Sequence, residues 1–121
     1  MGWLSQQKGA EKERLSVDWI KKQGVRILSM NYRCKGGEID IIGIDKSKTL
    51  IFFEVKYRKN TDHGNALDYI TPSKQKKIIL CASAYLSKNT ELQNHSMRFD
   101  ALTLHGNEKI PNWLKDIFGG F

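Results

Sequence analysis

Four ionisable residues sit where two strands ought to be apolar: Glu38 and Asp40 in GGEIDIIGI, and Glu54 and Lys56 in TLIFFEVKYR. Carboxylates are among the side chains least often buried, because an unpaired ion is costly to remove from water. In a strand, residues i and i+2 face the same side. That arithmetic puts Glu38 and Asp40 on one face of the first segment. Glu54 and Lys56 share a face of the second, with Val55 opposite. If the strands are neighbours, the four side chains converge at one sheet end. Gathered acids repel one another, and a divalent cation resolves the repulsion. Mg2+ takes oxygen ligands, using one or two carboxylates together with waters and phosphate oxygens. Such an ion can activate water and stabilise charge developing on phosphorus. A lysine beside it can orient or deprotonate that water. Asp40, Glu54 and Lys56 are therefore a sufficient kit for metal-assisted phosphodiester hydrolysis. The competing reading is a buried structural ion pair, which contributes little net stability.

The elements that must position these residues follow from patterning. Leu4 to Gln23 reads as a helix, with Leu15 and Trp19 on one face and Gly24 as its stop. Val25 to Arg33 reads as a strand, followed by a turn at Gly36-Gly37. Glu38 to Ile44 and Thr49 to Tyr57 are the second and third strands, joined by connections short enough for a meander. The near-continuous LIFFEV suits a central strand covered on both faces. KNTDHGNALDYI reads as a loop, with Gly64 a backbone special case. Thr71 is a good N-cap with Pro72 in the first helical position, and that helix runs to about Ser87. Met97 to Leu104 is a fourth strand. The tail, about residues 106–121, is expected to hold a short helix around Trp113 to Ile117. The order α-β-β-β-α-β describes an α/β fold, a central mixed sheet flanked by helices, within one domain over residues 1–121.

Composition narrows the function classes. The chain has 121 residues, 40% of them hydrophobic, enough for a globular core. Its 20 Lys and Arg against 13 Asp and Glu give a net charge of +7. That balance favours a polyanionic partner, nucleic acid first. No signal peptide and no membrane span are legible, so a cytoplasmic location without membrane attachment is expected. Cys34 and Cys81 show no metal-ligand spacing, so free thiols in a reducing cytoplasm are expected rather than a disulfide. His63, His95 and His105 have no metal-ligand spacing either. Trp3, Trp113 and Phe121 are expected in packing rather than in base stacking.

Asp40, thirteen intervening residues and then Glu54-Val55-Lys56 has the form of the D…ExK core of the PD-(D/E)xK nuclease superfamily. The longer run NYRxxxGEIDxI…FxEVKxR, with Gly64, Lys74 and RFDAL, closely resembles the YraN or UPF0102 family of small bacterial proteins. The resemblance spans about Glu13 to Leu104 and implies a restriction-endonuclease-like fold. It implies that Asp40 and Glu54 bind Mg2+ or Mn2+, with the Val55 carbonyl as a further ligand, and that Lys56 is the catalytic lysine. Glu38 becomes an auxiliary acid, or else pairs with Arg33 or Lys35. The first-helix acid of the family falls on Glu13, preceded here by Lys12, with Glu11 a near competitor. Lys74 and Arg58 match family positions and are expected to contact DNA. Arg33, Lys35 and Lys77 are further phosphate-contact candidates, against the plainer reading of a solvated basic face.

The same superfamily includes the archaeal Holliday-junction resolvases. The resemblance therefore implies a metal-dependent endonuclease acting on branched or recombination-intermediate DNA. It also implies a homodimer and partnership with a branch-migrating helicase. The alternative is a nucleic-acid-binding accessory factor that does not cleave. An RNA-binding role is weaker, since no aromatic RNA-recognition strand signature is present.

Overall fold

The structure, a computed structural model, describes residues 3–59 and 70–119, with side chains in the first helix from Ala10 onward. His63, Gly64 and Phe121 lie outside the described residues, as does the side chain of Trp3. Among the described residues, two α-helices and five strands follow in the order α1 (Trp3–Lys22), β1 (Arg26–Cys34), β2 (Gly37–Ile44), β3 (Leu50–Arg58), α2 (Pro72–Lys88), β4 (Met97–His105) and β5 (Asn112–Phe118). They form one mixed sheet of order β1-β2-β3-β4-β5. β1, β2 and β3 are antiparallel neighbours, β3 and β4 run parallel, and β5 returns antiparallel to β4. A parallel pair needs a crossover connection, and the segment containing α2 supplies it.

The core lies on both sides of β3. Leu50 and Phe52 pack with Ile78, Cys81, Ala82 and Tyr85 of α2. Ile51 and Phe53, one residue out of phase, pack with Val17 and Ile20 of α1. This explains why LIFF is continuously apolar: both faces of the strand are covered. Gly24, at φ 94°, turns the chain out of α1. At the start of α2 the Thr71 hydroxyl accepts from the Lys74 N–H at 3.2 Å, with Pro72 behind it.

Two expectations are corrected. The tail from Trp113 to Ile117 is not a helix but most of β5. The reason is Asp100, fully buried in β4. Its carboxylate accepts from the Trp113 indole N–H at 2.8 Å and from the Asp116 backbone N–H at 2.9 Å. Arg98 Nε adds contacts at 3.0 Å to both oxygens. A buried carboxylate must be satisfied, and the tail satisfies it by lying along β4. Between Ala101↔Leu114 and Phe99↔Phe118 the register shifts, and Asp116 takes φ 57°. Secondly, Cys34 and Cys81 are not free thiols: they form a disulfide. The end of β1 and the middle of α2 pack with these Cα atoms 5.4 Å apart, within bridging range.

Candidate active site

β2 and β3 pair only from Ile41↔Phe53 to Ile44↔Leu50. Beyond Phe53 the ladder stops, and Asp40 fills the gap with its side chain. Asp40 Oδ2 accepts from the Val55 backbone N–H at 2.7 Å, taking the place of a β2 carbonyl. The N–H and C=O of one strand residue point to the same edge. The Val55 carbonyl is therefore turned towards the gap that Asp40 occupies, while the Val55 side chain packs with the α1 cluster.

The strict alternation that would give Glu38 and Asp40 one face is interrupted here. Ile39 packs in the α2 cluster, whereas Ile41, two residues on, packs in the α1 cluster. In β1, the residue between the partners of Ile39 and Ile41 is Asn31, at φ 52°. The left-handed residue opposite Asp40 marks the point where the strand pair twists over. Asp40 consequently points along the sheet towards β3 rather than straight off either face.

Glu54 is buried on the α2 side of β3, its side chain 9% exposed. Two ammonium groups meet its Oε1: Lys56 Nζ at 3.1 Å and Lys74 Nζ at 2.7 Å. Lys74 reaches it from the first turn of α2. Its position there is set by the Thr71 cap and by Gln75, whose side chain donates to the Ile70 carbonyl at 3.1 Å.

The electrostatics follow from burial and crowding. Burial and the charge of Glu54 push Asp40 up to about 7, helped by Glu13 and Glu38 and opposed by the Val55 hydrogen bond. Burial and the adjoining Lys74 hold Lys56 below the usual lysine range, although Glu54 works the other way. For Lys74, burial disfavours the charge, but hydrogen bonds to Glu54 and Lys56 outweigh it and the net shift is upward. Burial, then the charge of Glu38, raises Glu13. Its Oε1 is buried without a hydrogen-bond partner. Glu11 is exposed, so of the two first-helix candidates Glu13 is the one turned towards the sheet.

Of the residues singled out by the sequence, the fold brings Asp40, Glu54, Val55, Lys56 and Lys74 together. Glu13 and Glu38 lie within electrostatic reach of Asp40. Glu38 also meets Arg33 at 3.7 Å, the pairing that was the alternative for it; the Arg33 side chain is largely exposed and that of Glu38 partly so. Lys35 and Lys77 are exposed. Lys77 borders the β1–β2 turn: a Cβ at Gly37 would lie 3.4 Å from that of Lys77. Arg58 ends β3 and is half-buried. His95 contacts the Lys48 carbonyl at 2.8 Å, and Trp113 packs edge-on to Trp19. Patterning alone missed the Lys74–Glu54 contact, because only the packing of α2 creates it.

Among the described residues, no three His, Cys, Asp or Glu side chains close into a cage for an ion. The donor set is two carboxylates and a peptide carbonyl facing one gap. That suits a hard cation that keeps several waters.

The family model of UPF0102, an uncharacterised protein family, matches residues 12–104. UPF0102 proteins of Pseudomonas putida and Psychromonas ingrahamii are 39% and 40% identical over 113 and 114 residues. The alignments cover 91% and 94% of this chain and 91% of each relative. A repair endonuclease from Pyrococcus abyssi superposes on 90% of this chain at 15% identity, with a TM-score of 0.38. The chain spans 41% of that enzyme's length.

Proposed function

This chain belongs to the UPF0102 family, and we propose that it is a divalent-metal-dependent endonuclease hydrolysing DNA phosphodiesters, with branched or recombination-intermediate DNA as substrate. One observation carries the reading. Asp40 and Glu54 are drawn to a single gap in the sheet, with Lys56 on the same carboxylate and the Val55 peptide tied to Asp40.

Asp40, Glu54 and the Val55 carbonyl would hold Mg2+ or Mn2+. The ion would neutralise phosphate charge and lower the pKa of a bound water. Lys56, depressed by burial, is suited to accept a proton from the attacking water and pass it on. Glu38 and Glu13 add negative potential at the edge of the gap. Arg33, Lys35, Arg58, Lys74 and Lys77 supply cationic groups for the DNA backbone, consistent with the +7 charge. Two-strand cleavage of a symmetric junction would call for a homodimer, and a branch-migrating helicase is the matching partner. We place the protein in the bacterial cytoplasm with its DNA, a compartment whose reductants would act on the Cys34–Cys81 bridge. No helix among the described residues is long and apolar enough to cross a membrane.

The test is incubation with Mg2+ or Mn2+ and labelled four-way junction, duplex, flap and single-stranded DNA. Wild type is expected to cut the junction, and Asp40→Ala and Lys56→Ala to lose the cut. Binding without cleavage, or equal cleavage by the variants, would overturn the reading.

One observation favours a second reading, a non-cleaving accessory factor in DNA recombination or repair. Lys56 and Lys74 already neutralise Glu54 without any ion. This reading predicts salt-sensitive DNA binding that survives Asp40→Ala.

A further inference from the structure

The Glu54 carboxylate presents one oxygen to two ammonium groups, at 2.7 Å from Lys74 and 3.1 Å from Lys56. The two lysines differ in how they are held. Lys56 is two residues from Glu54 on the same strand, and its side chain is 27% exposed. Lys74 stands on another element, in the first turn of α2, and its side chain is 33% exposed. Its four-carbon stem lets the head swing without disturbing the Thr71 cap, which uses only the Lys74 backbone N–H.

The local charges decide what an arriving cation must do. Glu54 Oε1 is the oxygen a cation would take, and both ammonium groups already stand on it. A divalent cation coordinated there would come into direct contact with the Lys74 ammonium, which lies 2.7 Å from the same oxygen. Like charges at such range repel strongly where water is scarce. Of the two ammonium groups, Lys74 is the closer to Glu54 Oε1 and the more exposed, so it is the one that most blocks an ion and most readily turns out to water.

We propose that Lys74 is a displaceable stand-in for the metal: its ammonium occupies Glu54 in the free protein and is driven off when a divalent cation binds. The inference rests on the metal-site reading above. Release turns Lys74 from a competitor into a free cation at the mouth of the site, beside the phosphate to be cut. Lys74 is thus a positioning residue for the apo site and a phosphate contact for the loaded one. The exchange keeps the Glu54 oxygen occupied in the absence of metal.

The experiment is Mn2+ titration of the full chain without DNA, read by the loss of the free-ion electron paramagnetic resonance signal. Lys74→Met is expected to tighten Mn2+ binding by up to roughly fivefold, the scale of one partly exposed ion pair. Lys74→Arg, which can fork onto the carboxylate, is expected to weaken it. Lys76→Met, removing the same charge from an exposed neighbouring position, is expected to move the affinity much less. Equal or weaker Mn2+ binding by Lys74→Met than by wild type would overturn the proposal, as would an equal effect of Lys76→Met. Failure of every protein, Lys74→Met included, to bind Mn2+ would overturn both this inference and the metal-site reading. Tightening by Lys74→Met with no DNA cleavage by wild type would leave the competition standing and sink the nuclease reading alone.

Discussion

The Asp40 carboxylate accepts the Val55 backbone N–H at 2.7 Å, so a side chain of β2 closes a place where a backbone carbonyl would ordinarily pair with β3. One contact thereby parts the strands, anchors the peptide next to Glu54 and aims the Val55 carbonyl at the acids. Asp40 has two duties, to hold the gap open and to carry charge into it. They can be separated. Asp40→Asn keeps an acceptor for Val55 and loses the charge, whereas Asp40→Ala loses both. Cleavage of junction DNA is expected to fall at least about a hundredfold in either variant. Thermal melting is expected to show Asn close to wild type once the pH is matched, and Ala lower. Near-wild-type cleavage by Asp40→Asn would remove the charge from the account.

The pH dependence of stability follows from the same carboxyl. Asp40 titrates near 7 in the fold against 3.8 as its reference. Between those values the folded chain keeps a proton that the unfolded chain has lost. Stability from this group is therefore fully present below about pH 4 and is lost as pH rises through about 7. The loss is on the order of 2–4 kcal/mol. Urea unfolding of the metal-free protein between pH 4.5 and 8 is expected to show the decline, and Asp40→Asn to flatten it. Added Mn2+ is expected to restore more stability at pH 8 than at pH 5, because the ion needs the deprotonated acid. A slope unchanged in Asp40→Asn would contradict the assignment.

Asp100 is a different kind of buried acid. It is fully enclosed, and its oxygens are met by Arg98, the Trp113 indole and the Asp116 N–H. Asp100→Ala strands these donors and is expected to cost about 3–5 kcal/mol, the scale for breaking a buried charge pair. Trp113 fluorescence during urea unfolding measures it. A loss below about 1 kcal/mol would show that β5 does not depend on this carboxylate.

The Cys34–Cys81 disulfide joins the end of β1 to α2 across a separation of 47 residues. It ties the strand next to the β1–β2 turn to the helix that carries Lys74. Reduction, or the double change of both cysteines to serine, is expected to lower stability by about 2–4 kcal/mol. An unchanged urea midpoint on adding dithiothreitol would contradict the bridge.

Much of this was legible before the fold. The apolar run LIFF announced a strand covered on both sides, Thr71-Pro72 announced the start of α2, and Asp40, Glu54 and Lys56 stood out as charges that the fold does draw together. What escaped depends on distant partners. Trp113 to Ile117 has a helix-like pattern locally, but Asp100 supplies a stronger claim on Trp113 and Asp116 from another strand. The cysteines carry no spacing signature, and only the packing of α2 on β1 brings them together. Period-two arithmetic also ran through Asp40 unbroken, whereas the strand pair twists over there, opposite the left-handed Asn31. Lys74 read as a DNA contact from its family position; its hold on Glu54 appears only when α2 lies over β3.

The most direct measurement is a crystal of the protein soaked in Mn2+ and recorded at a wavelength where manganese scatters anomalously. The account predicts one peak within coordination distance of Asp40, Glu54 and the Val55 carbonyl, with Lys74 withdrawn from Glu54. A map without manganese there, with Lys56 and Lys74 still on Glu54 Oε1, would contradict it.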